Sequence, residues 1–206
     1  MISCHQDCLD TNVNFYCMKG YKMTPIETLL SRVSIPRVIE PGVTGEELDL
    51  ILRGGLRACD HGRLKPFRFI VLEGDARARL GHTMAEYSRS NSAEMSEEMI
   101  QATKNKALRA PTILSVIFSP KESAKISKSE QLVSAGCAAQ MIVTAAHMLG
   151  LGAIWRTGEA SYSSEVATMM ELEKHEQVVA MIYIGRPVAE PPLPTDLDPV
   201  DFLTRL

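Results

Sequence analysis

The stretch "KSEQLVSAGCAAQMIVTAAHMLGLG", residues 128–152, carries small and apolar side chains almost all the way around a helical projection. A helix of this kind offers no broad polar face to water, so we expect it to be buried in the core or against a second subunit. Gly150 and Gly152 are predicted to end it, because glycine is the usual residue just past a helix C-terminus. Other elements of the chain, a second subunit, or both must therefore cover this long helix.

The segments on either side alternate between strand and helix patterns. Two capping boxes, Thr24 with Glu27 and Thr44 with Glu47, predict where the first two helices begin. Further helices are predicted by helical periodicity at 75–90, 93–109 and 162–171. Strands are predicted at 67–73, 112–118, 152–158 and 177–185. We therefore predict one α+β domain with about four strands and about six helices.

The composition limits the classes of protein to which the chain can belong. Its 206 residues, 45% hydrophobic and 23% charged, suffice for one well-formed core. The formal net charge of −3 supplies no overall basic field, so we expect no nucleic-acid partner. Five cysteines without a C-x-x-C pair favour a reduced, cytoplasmic setting. Because no apolar run approaches about 20 residues, we predict no membrane association.

The two ends of the chain differ from its body. Residues 1–22 lack a sustained apolar period and are predicted to be a disordered extension. A metal site formed by Cys4, His5 and Cys8 is the alternative for this segment. The tail from residue 186 is rich in proline at first and then apolar, so we expect it to pack along a surface, such as that of a partner subunit. Its apolar residues are Val200, Phe202, Leu203 and Leu206.

Charged residues are concentrated in the turn between the second predicted helix and the first predicted strand. In "RGGLRACDHGRLKPFRF", residues 53–69, they are Arg57, Asp60, His61, Arg63, Lys65 and Arg68. Ordinary connections of this kind are a few polar residues with Gly or Pro, so the pattern predicts a site for a small anion. Asp60 is expected to orient a neighbouring side chain.

Motifs for catalysis by side chains are missing from the sequence. No G-x-G-x-x-G follows a predicted strand, and no P-loop, G-x-S-x-G or H-E-x-x-H motif is present. We therefore predict no catalytic side chain and no metal. A cofactor with a phosphate and polar ring edges would suit the basic turn, and it would carry the reaction itself.

Three stretches in this order resemble the flavin-dependent nitroreductase family. They are "LLSRVSIPRV" with Arg32, Ser34 and Arg37, then "LRACDHGRLKPFRFIVLEG", then "AGCAAQMIVTAAHMLGLGAIWRTG". The resemblance runs from about Met23 to the C-terminus, which implies an FMN-binding domain at 23–206. It implies a nitroreductase-like fold, with a central mixed or antiparallel sheet flanked by helices and a long buried helix at a dimer interface.

The same resemblance implies which residues bind the cofactor and the reductant. Val33 stands where the family usually has a second arginine, so its backbone alone could contribute. A segment near the end of the long helix is implied to bind the nicotinamide nucleotide; it comprises Ala145, Ala146, His147, Met148, Leu149 and Gly150. The implied FMN contacts are Arg32, Val33, Ser34, Arg57, His61, Trp155, Arg156 and Thr157.

The function implied is that of an FMN-dependent, homodimeric NAD(P)H oxidoreductase with FMN at the dimer interface. Hydride would pass from NADH or NADPH through the flavin to a small acceptor such as a nitroaromatic or a quinone. Reductive dehalogenation or ene reduction on the same scaffold is one alternative, for which the polar stretch 85–106 would be the candidate lid. A non-catalytic flavin carrier or sensor is the other.

The residues taken alone leave structural interpretations open. Arg32 and Arg37 could be solvated charges near a helix end. His61 could be a hydrogen-bonded loop histidine, and His147 a hydrogen-bonded helix histidine. Trp155 could serve core packing as well as contact a cofactor ring.

Overall fold

The computed structural model of the chain describes residues 17–18, 21–92 and 94–206. Within that part, the strands are β1 (Cys17–Met18), β2 (Tyr21–Lys22), β3 (Val38–Ile39), β4 (Phe67–Leu72), β5 (Thr112–Phe118), β6 (Gly152–Arg156) and β7 (Gln177–Pro187). The α-helices are α1 (Pro25–Leu30), α2 (Gly45–Gly55), α3 (Asp75–Asn91), α4 (Glu97–Lys106), α5 (Lys128–Met148) and α6 (Ser164–Met169).

Five of these strands form one antiparallel sheet in which β7 is central. Strand β7 pairs with β5, β6 and β3, and β4 lies beyond β5. The predicted α+β class is confirmed, and of the two sheet types expected, the antiparallel one is present. The short β3 was not predicted. Strands β1 and β2 form a separate antiparallel pair.

Helices cover both faces of the sheet, so β5 is buried along its whole length. One face packs against α2 and α5 through a cluster that includes Leu114, Ile142 and Ile182. The other face packs against α3, α4 and α6 through a cluster that includes Leu80 and Val166. The two sides are called the α5 face and the α3 face below.

The long helix α5 is buried on most sides, as predicted. Ala135, Ala138 and Ala139 are fully buried, whereas Val133 leaves 66% of its surface exposed on the outer side. The helix ends at Met148, four residues before the predicted end at residue 152. Gly150, with φ of +75°, closes it in a Schellman motif, in which Leu151 N donates to Ala146 O and Gly150 N to His147 O.

Both predicted capping boxes are present. Thr24 Oγ1 accepts from Glu27 N, and the Glu27 carboxylate accepts from Thr24 N over 2.7 Å. Thr44 and Glu47 repeat this arrangement at the start of α2. Local hydrogen bonding alone therefore sets the beginning of these two helices.

The described residues at the two ends of the chain lie outside the five-stranded sheet and its helices. The predictions of disorder or a metal site at residues 1–22 lie outside the described residues, except for the β1–β2 pair, and stay predictions. At the other end, Asp198 caps a single 3₁₀ turn, Pro199–Phe202. Phe202 is 77% exposed there and Leu206 is also exposed, so the tail does not bury its apolar residues on its own chain. In the part of the chain that the structure describes, no helix is long and apolar enough to cross a membrane.

Candidate functional site

Residues 32–34 lie beside the first strand after the long helix. The Ile35 amide donates a 3.0 Å hydrogen bond to the Ala153 carbonyl, at the edge of β6 that does not pair with β7. Gly152 makes this approach possible, because a Cβ there would come within 2.6 Å of Val38 Cγ1 and 3.0 Å of Ile35 Cγ2. Gly152 was predicted both to end the long helix and to begin the next strand. In the structure it is the first residue of β6 and is not part of the end of the helix.

The three residues of this segment differ in what they can offer to a ligand. Arg32 is half-buried and, among the described residues, makes no ion pair or side-chain hydrogen bond. Ser34 is exposed, whereas the Val33 side chain packs against the core cluster on the α3 face. Arg32 and Ser34 thus have side chains available to an anion, while Val33 has its backbone alone.

A buried histidine supports this segment from the end of α5. His147 Nε2 lies 3.0 Å from both the Thr28 carbonyl and Ser31 Oγ, and the Ser31 hydroxyl donates to the same carbonyl over 2.9 Å. Burial lowers the pKa of His147, the Thr28 carbonyl opposes this, and the nearby positive charge of Arg32 adds to the lowering. His147 is therefore a neutral histidine that donates from Nε2 and fixes the end of α1 next to Arg32.

The pair Trp155 and Arg156 projects to opposite sides of the sheet. Trp155 is opposite Ile182 on the α5 face and is 37% exposed, whereas Arg156 is opposite Met181 on the α3 face. The Arg156 guanidinium lies 5.8 Å from the centre of the Tyr183 ring. Only one of the two side chains can therefore reach a ring bound on the α5 face, together with the exposed Thr157 that follows.

Asp60 organises the basic turn, as expected. Its Oδ2 accepts from the Lys65 amide over 2.8 Å and lies 3.4 Å from Lys65 Nζ. The backbone takes positive φ at Gly62 (+73°), Arg63 (+56°) and Lys65 (+49°). Positive φ is unfavourable for arginine and lysine, so their conformation depends on these contacts.

Several basic residues of this turn are engaged in internal contacts. Arg68 forms a two-pronged pair with Glu176, at 2.8 and 2.7 Å, and His61 Nδ1 lies 3.2 Å from Glu130 Oε1. Arg57 and Arg63 make no ion pair within the described residues. The charged residues that were predicted to form one anion site therefore have partly structural roles. His61 forms a hydrogen bond, which agrees with the alternative interpretation of it as a hydrogen-bonded loop histidine.

Within one chain, the predicted FMN residues fall into two separate places. His61 contacts Glu130 in the first turn of α5, whereas Arg32 lies near His147 in the last turn. These two positions on α5 are about 26 Å apart along the helix axis, at 1.5 Å per residue. One chain therefore does not bring His61 and Arg32 to the same ligand.

The segment implied to bind the nicotinamide nucleotide is mostly interior. Ala146 and His147 are buried, Ala145 and Leu149 pack against the core on the α5 face, and Met148 is exposed. Side-chain contacts to a nucleotide on this chain's surface could come from Met148. The assignment of 145–150 stays a prediction. No sequence pattern indicated the contacts of His147 with Thr28 and Ser31, because these residues lie more than 100 positions away along the chain.

Two further expectations concern the rest of the surface. Within the candidate lid at 85–106, residues 85–91 form the end of α3 and Glu97–Lys106 form α4, which packs against α3 and buries Ile100 and Thr103. It therefore covers the side of the sheet away from Trp155. The described residues contain no group of three His, Cys, Asp or Glu side chains placed to hold a metal.

Comparisons with known proteins identify the family. Residues 39–186 match the Nitroreductase family. The chain is 34% identical over 183 residues to the Escherichia coli (strain K12) protein named "Putative NAD(P)H nitroreductase YdjA", an alignment that covers 88% of this chain and 99% of that one.

Solved structures share the fold. The Nitroreductase-like family protein from Bacillus cereus has a TM-score of 0.75 at 17% identity, with 92% of this chain and 98% of that chain covered. An FMN-dependent nitroreductase from Clostridium difficile R20291 has a TM-score of 0.63 at 22% identity, with 85% and 95% covered. The family match over most of the sequence, and the relative aligned nearly end to end, show that this chain belongs to the nitroreductase family.

Proposed function

We propose that the protein is an FMN-dependent NAD(P)H oxidoreductase that acts as a homodimer. One observation carries this proposal: the hydrogen bond from Ile35 to Ala153 sets Arg32 and Ser34 beside the exposed end of β6. Family membership and the NAD(P)H nitroreductase name of the similar Escherichia coli protein support the same conclusion. We propose a nitroaromatic or a quinone as the acceptor and the cytoplasm as the location.

The residues of this segment fit a flavin mononucleotide. Arg32 has a guanidinium without an ion pair among the described residues, and it can form a two-pronged bond to a phosphate. Ser34 can donate a hydrogen bond to the same group, and Trp155 and Thr157 would lie along the ring. When bound, FMN supplies a ring system that accepts hydride from NAD(P)H and delivers it to the acceptor.

The protein's own contribution is to position the ligands and exclude water. Trp155 offers a large apolar surface on the α5 face. A cation near the polar edge of the ring, such as Arg57, would stabilise the negative charge that a reduced flavin carries. No nucleophile or acid–base pair is required for this chemistry, in agreement with the lack of such motifs in the sequence.

A second copy of the chain would complete the site. His61 and Arg32 are too far apart on α5 to share a ligand within one chain, but two copies packed along α5 in opposite directions would bring the first turn of one α5 near the last turn of the other. Exposed apolar side chains offer the surface for such packing. They are Ile26, Leu29 and Leu30 on α1, Leu132 and Val133 on α5, and Phe202, Leu203 and Leu206 in the tail.

The visible absorption spectrum of the purified protein tests the proposal, recorded before and after anaerobic addition of NADPH or NADH. We expect a flavin spectrum that bleaches on reduction. A bound flavin that neither nucleotide bleaches would favour the carrier or sensor alternative, and a protein that stays colourless after incubation with FMN would overturn the proposal.

A further inference from the structure

A cavity lies on the α3 face, on the side of the sheet away from Trp155. It has a volume of about 390 Å³ and is enclosed by α3, the end of α4 and residues 156–161, with Tyr183 and Met181 of β7 in its wall. Volumes of about 300 to 1,000 Å³ are typical of small-molecule sites. The cavity is therefore large enough for a small organic ligand.

Positive charge dominates this cavity. Lys106, Arg109 and Arg156 line it, and Glu159 is the one acidic residue among its described lining residues. The Glu159 carboxylate already accepts from the Tyr87 hydroxyl over 3.1 Å. None of the three cations has an ion pair within the described part of the chain. Three unpaired cations around one concave space repel each other unless an anion lies between them.

One buried polar atom in the inner wall lacks a partner. Arg156 Nε is buried and has no hydrogen-bond partner, which is costly for a charged group. Tyr183 is 3% exposed, with its ring below the Arg156 guanidinium. Burial raises the pKa of Tyr183, while the charges of Arg156 and Arg109 oppose that rise. Tyr183 lines the cavity, where its hydroxyl can donate to an anion.

We propose that this cavity binds a small organic anion. The phosphate or carboxylate group of the anion lies among Lys106, Arg109 and Arg156. The apolar part of the anion packs against Met84 and Met181, which also line the cavity. Guanidinium groups bind both kinds of anion in a two-pronged geometry. The Arg156 and Trp155 side chains lie on opposite faces, so the anion would lie on the side of the sheet away from Trp155, and Thr157, proposed above to lie along the flavin ring, borders this cavity as well.

Calorimetric titration of the full chain, saturated with FMN, tests the proposal with phenyl phosphate, benzoate and phenol as probes. We expect at least one of the two anions to bind and neutral phenol not to bind; the two anions distinguish a phosphate from a carboxylate ligand. The flavin spectrum should stay unchanged during the titration. The titration can also be run on protein without flavin, so its outcome is independent of the proposed oxidoreductase activity.

Variants locate the binding. Arg109→Gln and Lys106→Gln should each lower the affinity for the bound anion about tenfold, the loss expected for one charge-assisted hydrogen bond. Both side chains are exposed, so the variants should fold. Lys104→Gln, two residues before Lys106 on α4 but outside the cavity, is the matched control and should bind like the wild type. Binding of neither anion at millimolar concentration, equal binding of phenol, a shifted flavin spectrum, or unchanged affinity in both variants would each overturn the proposal.

Discussion

Ile35 and Ala153 are joined by one backbone hydrogen bond of 3.0 Å, and this contact brings the segment before β3 onto the edge of β6. The residues are 118 positions apart, so no local sequence pattern specifies their contact. What permits it is the missing side chain at Gly152. The positions of Arg32 and Ser34 relative to Trp155 therefore depend on a glycine that itself touches no ligand.

Gly152→Ala should lower the free energy of unfolding by about 1 to 3 kcal/mol, because the new methyl group overlaps Val38 and Ile35. It should also weaken FMN binding by displacing Arg32. Urea denaturation at fixed protein concentration and a flavin titration measure the two effects. Gly45→Ala is the control, since nothing lies within 4 Å of a Cβ at that position. Equal stability of the two variants would contradict this account of Gly152.

Arg32→Ala should lower the affinity for FMN by about 10- to 150-fold, the equivalent of about 1.5 to 3 kcal/mol for a lost charge-assisted bond. Its stability should be unchanged, because Arg32 makes no ion pair among the described residues. Fluorescence titration of the apoprotein with FMN gives the affinity. Arg37→Ala, an exposed arginine of the same segment, serves as the control. If both variants bind FMN like the wild type, Arg32 is not the phosphate anchor.

Val133→Lys should convert the proposed dimer to a monomer, because a charge replaces an exposed apolar side chain on the outer side of α5. Light scattering gives the molar mass, and far-UV circular dichroism checks that the variant is folded. Met99→Lys makes the same change at an exposed apolar position on α4, beside the α3 face, and should leave the mass unaltered. A monomeric wild type, or a dimer in both variants, would exclude this helix face as the interface.

The Arg68–Glu176 pair should control stability in acid. The Arg68 guanidinium lowers the pKa of Glu176 from 4.5 to about 2. The pair therefore stabilises the fold above pH 4.5, and this contribution is lost as the pH falls from 4.5 toward 2. Arg68→Gln should cost about 1 to 3 kcal/mol at pH 7 and flatten the acid limb of the stability curve. Arg53→Gln, which breaks an exposed pair with Asp49, is the control and should leave both the stability and its acid limb like those of the wild type.

His147 should produce a stability change nearer neutral pH. Burial lowers its pKa below the ordinary 6.5, so the unfolded chain binds more protons than the folded chain just below that pH. Stability should therefore fall as the pH drops below about 6.5. Urea denaturation from pH 7.5 to 5.5 should show a flatter dependence in His147→Gln than in the wild type. His175→Gln, at an exposed position, should retain the wild-type slope, and an unaltered slope in His147→Gln would contradict the assignment.

Sequence patterns predicted the elements whose signals are local. The capping boxes of Thr24 and Thr44 and the apolar runs of β4, β5 and β7 needed no knowledge of distant residues. Strand β3 was missed because it is two residues long and becomes a strand only by pairing with Arg186 and Pro187, far along the chain. The end of α5 was placed too late, because Leu149 and Leu151 continue the apolar pattern while Gly150 has already left the helical conformation.

The residues of the candidate site were predicted from the family resemblance and not from residue spacing alone. Alternation along the predicted strand already implies that the adjacent side chains of Trp155 and Arg156 point to opposite faces. Residue spacing could not show that Arg156 shares its face with Tyr183, since that depends on which strand pairs with β6. The basic cavity was not predicted for a related reason. In the sequence, Lys106 and Arg109 have the pattern of polar residues at the end of a helix. Only the sheet register brings them near Arg156.

The central position of β7 also has a consequence for how the chain folds. A chain emerging from the ribosome presents β3, β5 and β6 before the strand that pairs with all three of them has been made. Until residues 177–187 are available, β6 has no strand neighbour and β5 has β4 alone. Apolar edges of this kind are sites of aggregation during synthesis. Closure of the sheet is therefore a late event, and the nascent chain exposes the most unpaired strand edge just before β7 is complete.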